Sequence, residues 1–348
     1  MTAITEITLD NHHRVSWDEF MRRYDPDNIT QSSDWLLFQQ AAGKAVTALV
    51  AFPGEQKSAD LSQAVMIAGV IREELVLGKL RKFFWYIPRG PIIAGGNQIS
   101  AEMLQALATD LHQRAHNSLF THIEPAWEGN AAGSAFKEAG FSLSFKHLAP
   151  QETVVVPLAR TDEELLASVH PKHRYNIRLA QKKGVTVRAF DAFDEQSFAD
   201  FWALMHATGE RQQFGIHGRQ YYAELLRFFM PRRKAMLWSA YYEGRCIASH
   251  IIFYQGSTVT YLHGGMDYAH RSVMAPILIH WATMQEARDR GYMQYDLWGI
   301  DAQRWPNLSL FKKRFGGTIV HYAGSFDAVY QPLPYAAYRA ITQLRKKK

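Results

Sequence analysis

Lys312 and Asp296 are residues of this chain whose types and places could do polar chemistry. A lysine ammonium can stabilise the oxyanion of a tetrahedral intermediate, and a carboxylate can orient or deprotonate an attacking amine. Tyr261, Trp298, Arg304, Trp305 and Arg314 join them at strand ends or adjoining loops. Those are the places where an α/β unit can gather one cleft. Each residue also has a plainer use, because a loop lysine is usually solvated and an aspartate ending a strand can cap a turn.

A second chemical signal is cationic. In His170-Pro171-Lys172-His173-Arg174-Tyr175-Asn176-Ile177-Arg178-Leu179-Ala180-Gln181-Lys182-Lys183-Gly184, the residues Arg174, Arg178 and Lys182 recur four apart. That spacing predicts a helix with the three on one face, Leu179 and Ala180 packing beside it, and Gly184 as C-cap before a strand at Val185-Thr186-Val187. With Lys172 and Lys183 the face suits phosphate groups; a solvated helix surface is the alternative. Lys and Arg total 39 against 33 Asp and Glu, a net charge of +6, with the excess gathered in 172–188, 227–234, 304–314 and 345–348. Anionic partners follow, without identifying nucleic acid.

Other chemistries find less support. The 15 histidines make no metal motif and read as surface or packing residues, so no metal is expected. Cys246 is the single cysteine, read as a buried structural thiol, and no intrachain disulfide is available. No Walker loop or dinucleotide fingerprint occurs, and no cofactor is expected. Gly264-Gly265 allows either close substrate approach or a tight strand-end turn. The start lacks a secretory pattern and the apolar run 64–71 is too short to span a bilayer. A cytoplasmic protein is expected, with Arg345-Lys346-Lys347-Lys348 open to peripheral contact at the inner face of the membrane.

The elements that must position these residues form a repeated pattern. A strand at 64–71, the segment Phe84–Pro91, a helix over 98–117, a strand at 119–124 and a closing Phe136–Phe141 make one set. Strands at 247–254 and 259–265, a helix over 273–290, a strand at 292–298 and a closing Phe311–Gly317 make the other. This predicts two mixed α/β units, 1–150 and 151–324, with a linker near Ala149–Glu152. A final helix from Pro334 carries Tyr335, Tyr338 and Ile341 and is expected to complete the first unit through residues 325–348.

Together the segments Gln31–Gln39, Tyr86–Pro91, Lys172–Val185 and Phe311–Gly316 resemble the Fem aminoacyltransferases that build branches on peptidoglycan precursors. The resemblance covers nearly the whole chain and is to the short form, without a helical arm. It implies two tandem acetyltransferase-like (GNAT-like) domains. It also implies transfer of glycine, alanine or serine from aminoacyl-tRNA to an amino group of a nucleotide-linked or lipid-linked precursor, by a monomer. On that basis Lys312 is the oxyanion stabiliser, Tyr261 orients the acceptor or the carbonyl, and Asp296 positions the amine. Arg211, Trp298 and Arg304 contact substrate. Lys172, Arg174, Arg178, Lys182 and Lys183 contact transfer RNA or precursor phosphate. Gln39 stands where the family often has a phosphate-binding lysine, and glutamine cannot neutralise charge. An acyl-thioester donor and a noncatalytic RNA-binding role are the alternatives.

Overall fold

The computed structural model describes residues 2–54, 60–77, 80–96, 99–129, 133–158 and 161–346. They fall into two compact units, Met1–Gln151 with His321–Lys348, and Glu152–Val320. Lys347 and Lys348, in the basic end read as a membrane contact, lie outside the described residues.

In the first unit the chain runs through β1 (Thr2–Ile7), α1 (Asn11–Tyr24), α2 (Ser33–Ala41), β2 (Val46–Pro53), β3 (Met66–Leu77), β4 (Leu80–Arg89), β5 (Ile92–Ile93), α3 (Ala101–Arg114), β6 (Ser118–Pro125), α4 (Gly133–Glu138) and β7 (Ser142–Leu143). Its sheet is buried on both faces, which is why strands such as Leu49-Val50-Ala51-Phe52 read as unbroken apolar runs. Leu49 and Ala51 enter the core beneath Leu104, Leu107 and Leu111 of α3, while Val50 and Phe52 enter the core with Trp17 and Phe20 of α1. The helix expected over 98–117 is shorter, because the Ser100 hydroxyl caps it by accepting from Met103 N.

The second unit contains β8 (Glu152–Pro157), α5 (Asp162–Ser168), α6 (Pro171–Lys182), β9 (Thr186–Phe190), α7 (Glu195–Gln212), α8 (Arg219–Phe229), β10 (Ala235–Tyr242), β11 (Arg245–Gln255), β12 (Thr258–Met266), α9 (Ala275–Asp289), β13 (Gln294–Asp296), α10 (Pro306–Lys313) and β14 (Thr318–His321). Its sheet runs β14-β8-β13-β12-β11-β10-β9. The parallel pair β12–β13 matters most. Pairing stops at Thr260↔Asp296, whereas β12 continues to Met266 against β11. The two chains therefore part after Asp296. A register shift between β11 and β12 leaves Leu262 as an extra residue beside Tyr261, a bulge of the kind that re-aims neighbouring side chains.

The first unit is completed by β15 (Phe326–Val329) and α11 (Pro332–Lys346), giving the sheet order β1-β2-β3-β4-β6-β15-β7 with β5 beside β3. Here the parallel pair β4–β6 stays together to Arg89↔Pro125, the last residues of both strands. Tyr338 of α11 packs on Phe84, Leu119 and Phe120. Beneath it a charged cluster is sealed into the sheet: His122, Glu124 and Asp327 are each at most 2% exposed. His122 Nδ1 lies 2.6 Å from Asp327 and Nε2 3.3 Å from Glu124, and Tyr335 donates to Asp327 at 2.6 Å. Glu124 also accepts from Tyr86, Leu148 N and Ala149 N, each at 2.7 Å.

Gly316 shows how tightly the second unit closes around α10. Its φ is +74°, and a Cβ there would sit 2.2 Å from the Ser168 carbonyl oxygen. Gly316→Ala is expected to cost about 1–3 kcal/mol by overpacking, read as a lower urea midpoint with an unchanged slope. An unchanged midpoint would show that the α5 end yields freely.

Candidate active site

Lys312 is buried on α10, 5% exposed, and its Nζ donates to the carbonyl oxygens of Trp298 and Gly299. The helix is placed by its own approach. Asp301 accepts from Gln303 N and Arg304 N, Asp301 N donates to the Ser309 hydroxyl at 3.0 Å, and Pro306 opens the first turn without needing a donor. From the other side His173 of α6 lies 2.9 Å from the Phe311 carbonyl through Nε2, and His170 N donates to Arg314 O. The basic helix thus abuts the helix that carries Lys312.

The two carbonyls face Lys312 because Trp298 and Gly299 both adopt left-handed backbone, φ 48° and 66°. Asp296 holds that turn. Its Oδ1 accepts from Trp298 N at 2.8 Å and from the Thr153 hydroxyl of β8. This is why the strand expected over 292–298 shortens to Gln294–Asp296. The same carboxylate supports the charge on Lys312. Burial pushes the lysine down to about 7 and Asp296 opposes that fall. The ammonium is therefore finely balanced near neutrality, where an exposed lysine would be fully charged.

Tyr261 lies where β12 parts from β13, with Lys312 Nζ 5.3 Å from its ring centroid. Burial holds its phenol protonated. Behind it the rings of His250 and His280 each stand 4.7 Å from Tyr261 and 4.6 Å from one another. Burial keeps both imidazoles neutral, with the Lys312 charge adding to the effect, and His250 falls to about 3. His280 Nδ1 lies 2.8 Å from the Tyr295 hydroxyl. Gly264 is required here, since a Cβ would meet His250 Cδ2 at 2.6 Å and the Tyr261 hydroxyl at 2.7 Å. Sequence reasoning favours surface or packing roles for the histidines over metal ligation but does not single out this layer; a histidine inside the apolar run Ile247–Tyr254 is its one visible trace.

Lys312, Asp296, Tyr261 and Trp298 are thus brought together. Arg304 is exposed, its guanidinium 4.5 Å from the Trp305 ring, and Arg211 lies over Tyr268 at 4.7 Å. Gln39 belongs to the first unit, buried in α2. Among the cations of α6, Lys172, Arg178 and Lys182 are exposed. Arg174 differs from its expected place on the phosphate-facing stripe: it donates to the carbonyls of Ala167 and Val169, at 3.1 and 2.7 Å, and so braces the α5–α6 junction. Lys183 donates to Ser272 O at 3.0 Å. Cys246 is partly buried, its thiol pushed up to about 11 by burial, away from nucleophilic use. Among the described residues no metal-holding group of three or more His, Cys, Asp or Glu occurs, and no helix is long and apolar enough to cross a membrane.

Removing the charge of Asp296 while keeping its shape isolates its influence on Lys312. In Asp296→Asn the lysine loses the one interaction that raises its pKa, so its titration moves below about 7. Chemical labelling of Lys312 against pH should show that downward move, and an unchanged midpoint would contradict the electrostatic coupling.

A sequence profile of the FemAB family matches residues 130–243 and 239–343. The lipid II:glycine glycyltransferase of Staphylococcus saprophyticus is 23% identical over 345 residues, covering 77% of this chain and 81% of that protein. The crystal structure of FemX superposes with a TM-score of 0.76 at 20% identity, over 97% of this chain and 100% of that one. A tandem GNAT protein from the clavulanic acid biosynthesis pathway follows the same fold, with a TM-score of 0.59 at 12% identity over 95% and 99% of the two chains.

Proposed function

This chain belongs to the FemAB family, in a fold of two GNAT-like units, and from that premise we propose that it is an aminoacyltransferase that extends peptidoglycan precursors. The donor in this reading is an aminoacyl-tRNA carrying glycine, alanine or serine, and the acceptor is an amino group of a precursor stem peptide. A lipid-linked acceptor is supported by the relatives named for lipid II, and it would draw the protein to the inner face of the membrane. Gln39, uncharged and buried, fits poorly with a lysine-like grip on precursor phosphate.

The observation that carries the reading is Lys312 held beneath the point where β12 and β13 separate. The acceptor amine, in its neutral form, attacks the ester carbonyl carbon. A C–N bond forms as the carbonyl electrons move to oxygen, and Lys312 stabilises that oxyanion. On collapse the ester C–O bond breaks, and the proton lost by the amine goes to the departing ribose oxygen. Tyr261 orients the carbonyl or the amine. Asp296 acts through the Trp298–Gly299 turn, which its Oδ1 holds, and through the charge of Lys312.

Because the fold is shared with a tandem GNAT protein, an acyl-thioester donor is the second reading. Supplying wild-type protein with glycyl-, alanyl- and seryl-tRNA, or with acetyl-coenzyme A, against nucleotide- and lipid-linked muropeptides separates the two. Amide product only with charged transfer RNA is expected. Product only with the thioester would replace the proposed donor.

A further inference from the structure

We propose that the second unit carries a face for single-stranded RNA, on which Tyr175 and Tyr268 stack against bases while Lys172, Arg178, Lys182 and Arg271 meet phosphates. The proposal rests on the reading of transfer RNA as donor, whose reactive 3′ end is unpaired.

Residues 165–190 contain six Lys or Arg and no Asp or Glu. On α6 the exposed Lys172, Tyr175, Arg178 and Lys182 follow one another at three- and four-residue intervals, so they lie on one side of the helix. Tyr175 is 63% exposed. A large ring left in water between cations is an unusual use of a tyrosine on a helix whose Ile177 and Ala180 are fully packed. The stripe continues past the helix end. Lys183 Nζ reaches Ser272 O, in the short 3-10 turn Tyr268–Val273. There Tyr268 is 51% exposed, with the guanidinium groups of Arg211 and Arg271 at 4.7 and 4.5 Å from its ring.

The carboxylates beside this turn are engaged locally. Asp267 accepts from Ala269 N and lies 2.7 Å from His270 Nδ1, and Glu210 lies 3.5 Å from His206. Among the described residues, no ion pair engages Lys172, Arg178, Lys182 or Arg271. Nucleic acid fits this surface better than a lipid bilayer. An interfacial helix buries an aliphatic stripe in the membrane, whereas Ile177 and Ala180 of α6 are packed in the core and Leu179 is half-buried. Isolated aromatic rings set among lysine and arginine match the way unpaired bases and backbone are held together.

The test is equilibrium binding of the full chain to a fluorescein-labelled, uncharged single-stranded RNA of about eight nucleotides, with a duplex of equal length as control. Tyr175→Ala and Tyr268→Ala should each weaken single-strand binding about tenfold, with duplex binding little changed, and the Phe variants should restore it. Arg178→Ala and Lys182→Ala should each reduce the salt slope by about 0.7. Single-strand affinity unchanged in both tyrosine variants overturns the proposal. So does binding to phosphatidylglycerol vesicles that alone falls in those variants. The transferase reading fails separately: tyrosine-dependent RNA binding without product from charged transfer RNA would remove it and leave this face standing. Product formed at an unchanged donor KM in the tyrosine variants would do the reverse.

Discussion

Lys312→Met is expected to lower the rate of aminoacyl transfer by about 10²–10³-fold, with the fold retained. The methionine fills the same buried volume, and burial already works against a charge at this position. Linkage gives a clear sign for the control. The folded pKa of Lys312, about 7, lies below the unfolded value of about 10.4, so the unfolded chain binds more protons in between. Wild-type stability therefore gains from this group as pH rises through that window, and the methionine variant lacks the gain. Lys312→Arg tests the charge itself. Guanidinium does not titrate near neutrality, so any fall in rate above about pH 7 caused by lysine deprotonation should vanish, even if the larger head slows transfer. A methionine variant that is folded and as active as wild type would show that the oxyanion is stabilised elsewhere.

His122→Leu should be strongly destabilising, costing about 3–5 kcal/mol. It would strand Glu124 and Asp327, which are 0% and 1% exposed, without the cation between them. Burial opposes the charge on His122, but hydrogen bonds and attraction to Asp327 and Glu124 overcome it and raise the group to about 9. Its contribution is fully present below the unfolded value of about 6.5 and is lost as pH rises through about 9. Urea unfolding of wild type and variant should therefore differ widely at about pH 6 and much less at about pH 10. Because Lys312 acts in the opposite direction between those values, only the difference between the two proteins isolates His122. A small, pH-independent difference would mean that the cluster is not ionised as described.

Periodicity made the architecture legible where one face or both faces of an element are buried. The strand at 247–254, the final helix with Tyr335 and Tyr338, and the basic helix ending at Gly184 all have their expected counterparts, and Gly184 has φ +82°. Element ends were less visible, because side chains distant in sequence set them. Asp296 truncates β13 through a turn it shares with Thr153. Met274, with φ 60°, delays the helix expected from 273 until Ala275. In the site, Lys312 was visible as a residue type in a recognisable segment, but its burial was not. That depends on two carbonyls presented by left-handed residues, which no hydropathy pattern encodes. Arg174 shows the opposite failure, since helical spacing grouped it with Arg178 and Lys182 while nearby carbonyls captured it. The separation of β12 from β13 was equally invisible. The corresponding parallel pair of the first unit stays closed to its end, although the two units share one pattern of elements.

The most direct measurement is mass spectrometry of a lipid-linked muropeptide incubated with charged transfer RNA and either wild-type protein or Lys312→Met. Wild type should add the mass of one glycyl, alanyl or seryl residue, only with charged transfer RNA, and the variant should add almost none in the same time. Equal product from both proteins would contradict a catalytic Lys312, and no product from wild type with any of the three donors would contradict the transferase itself.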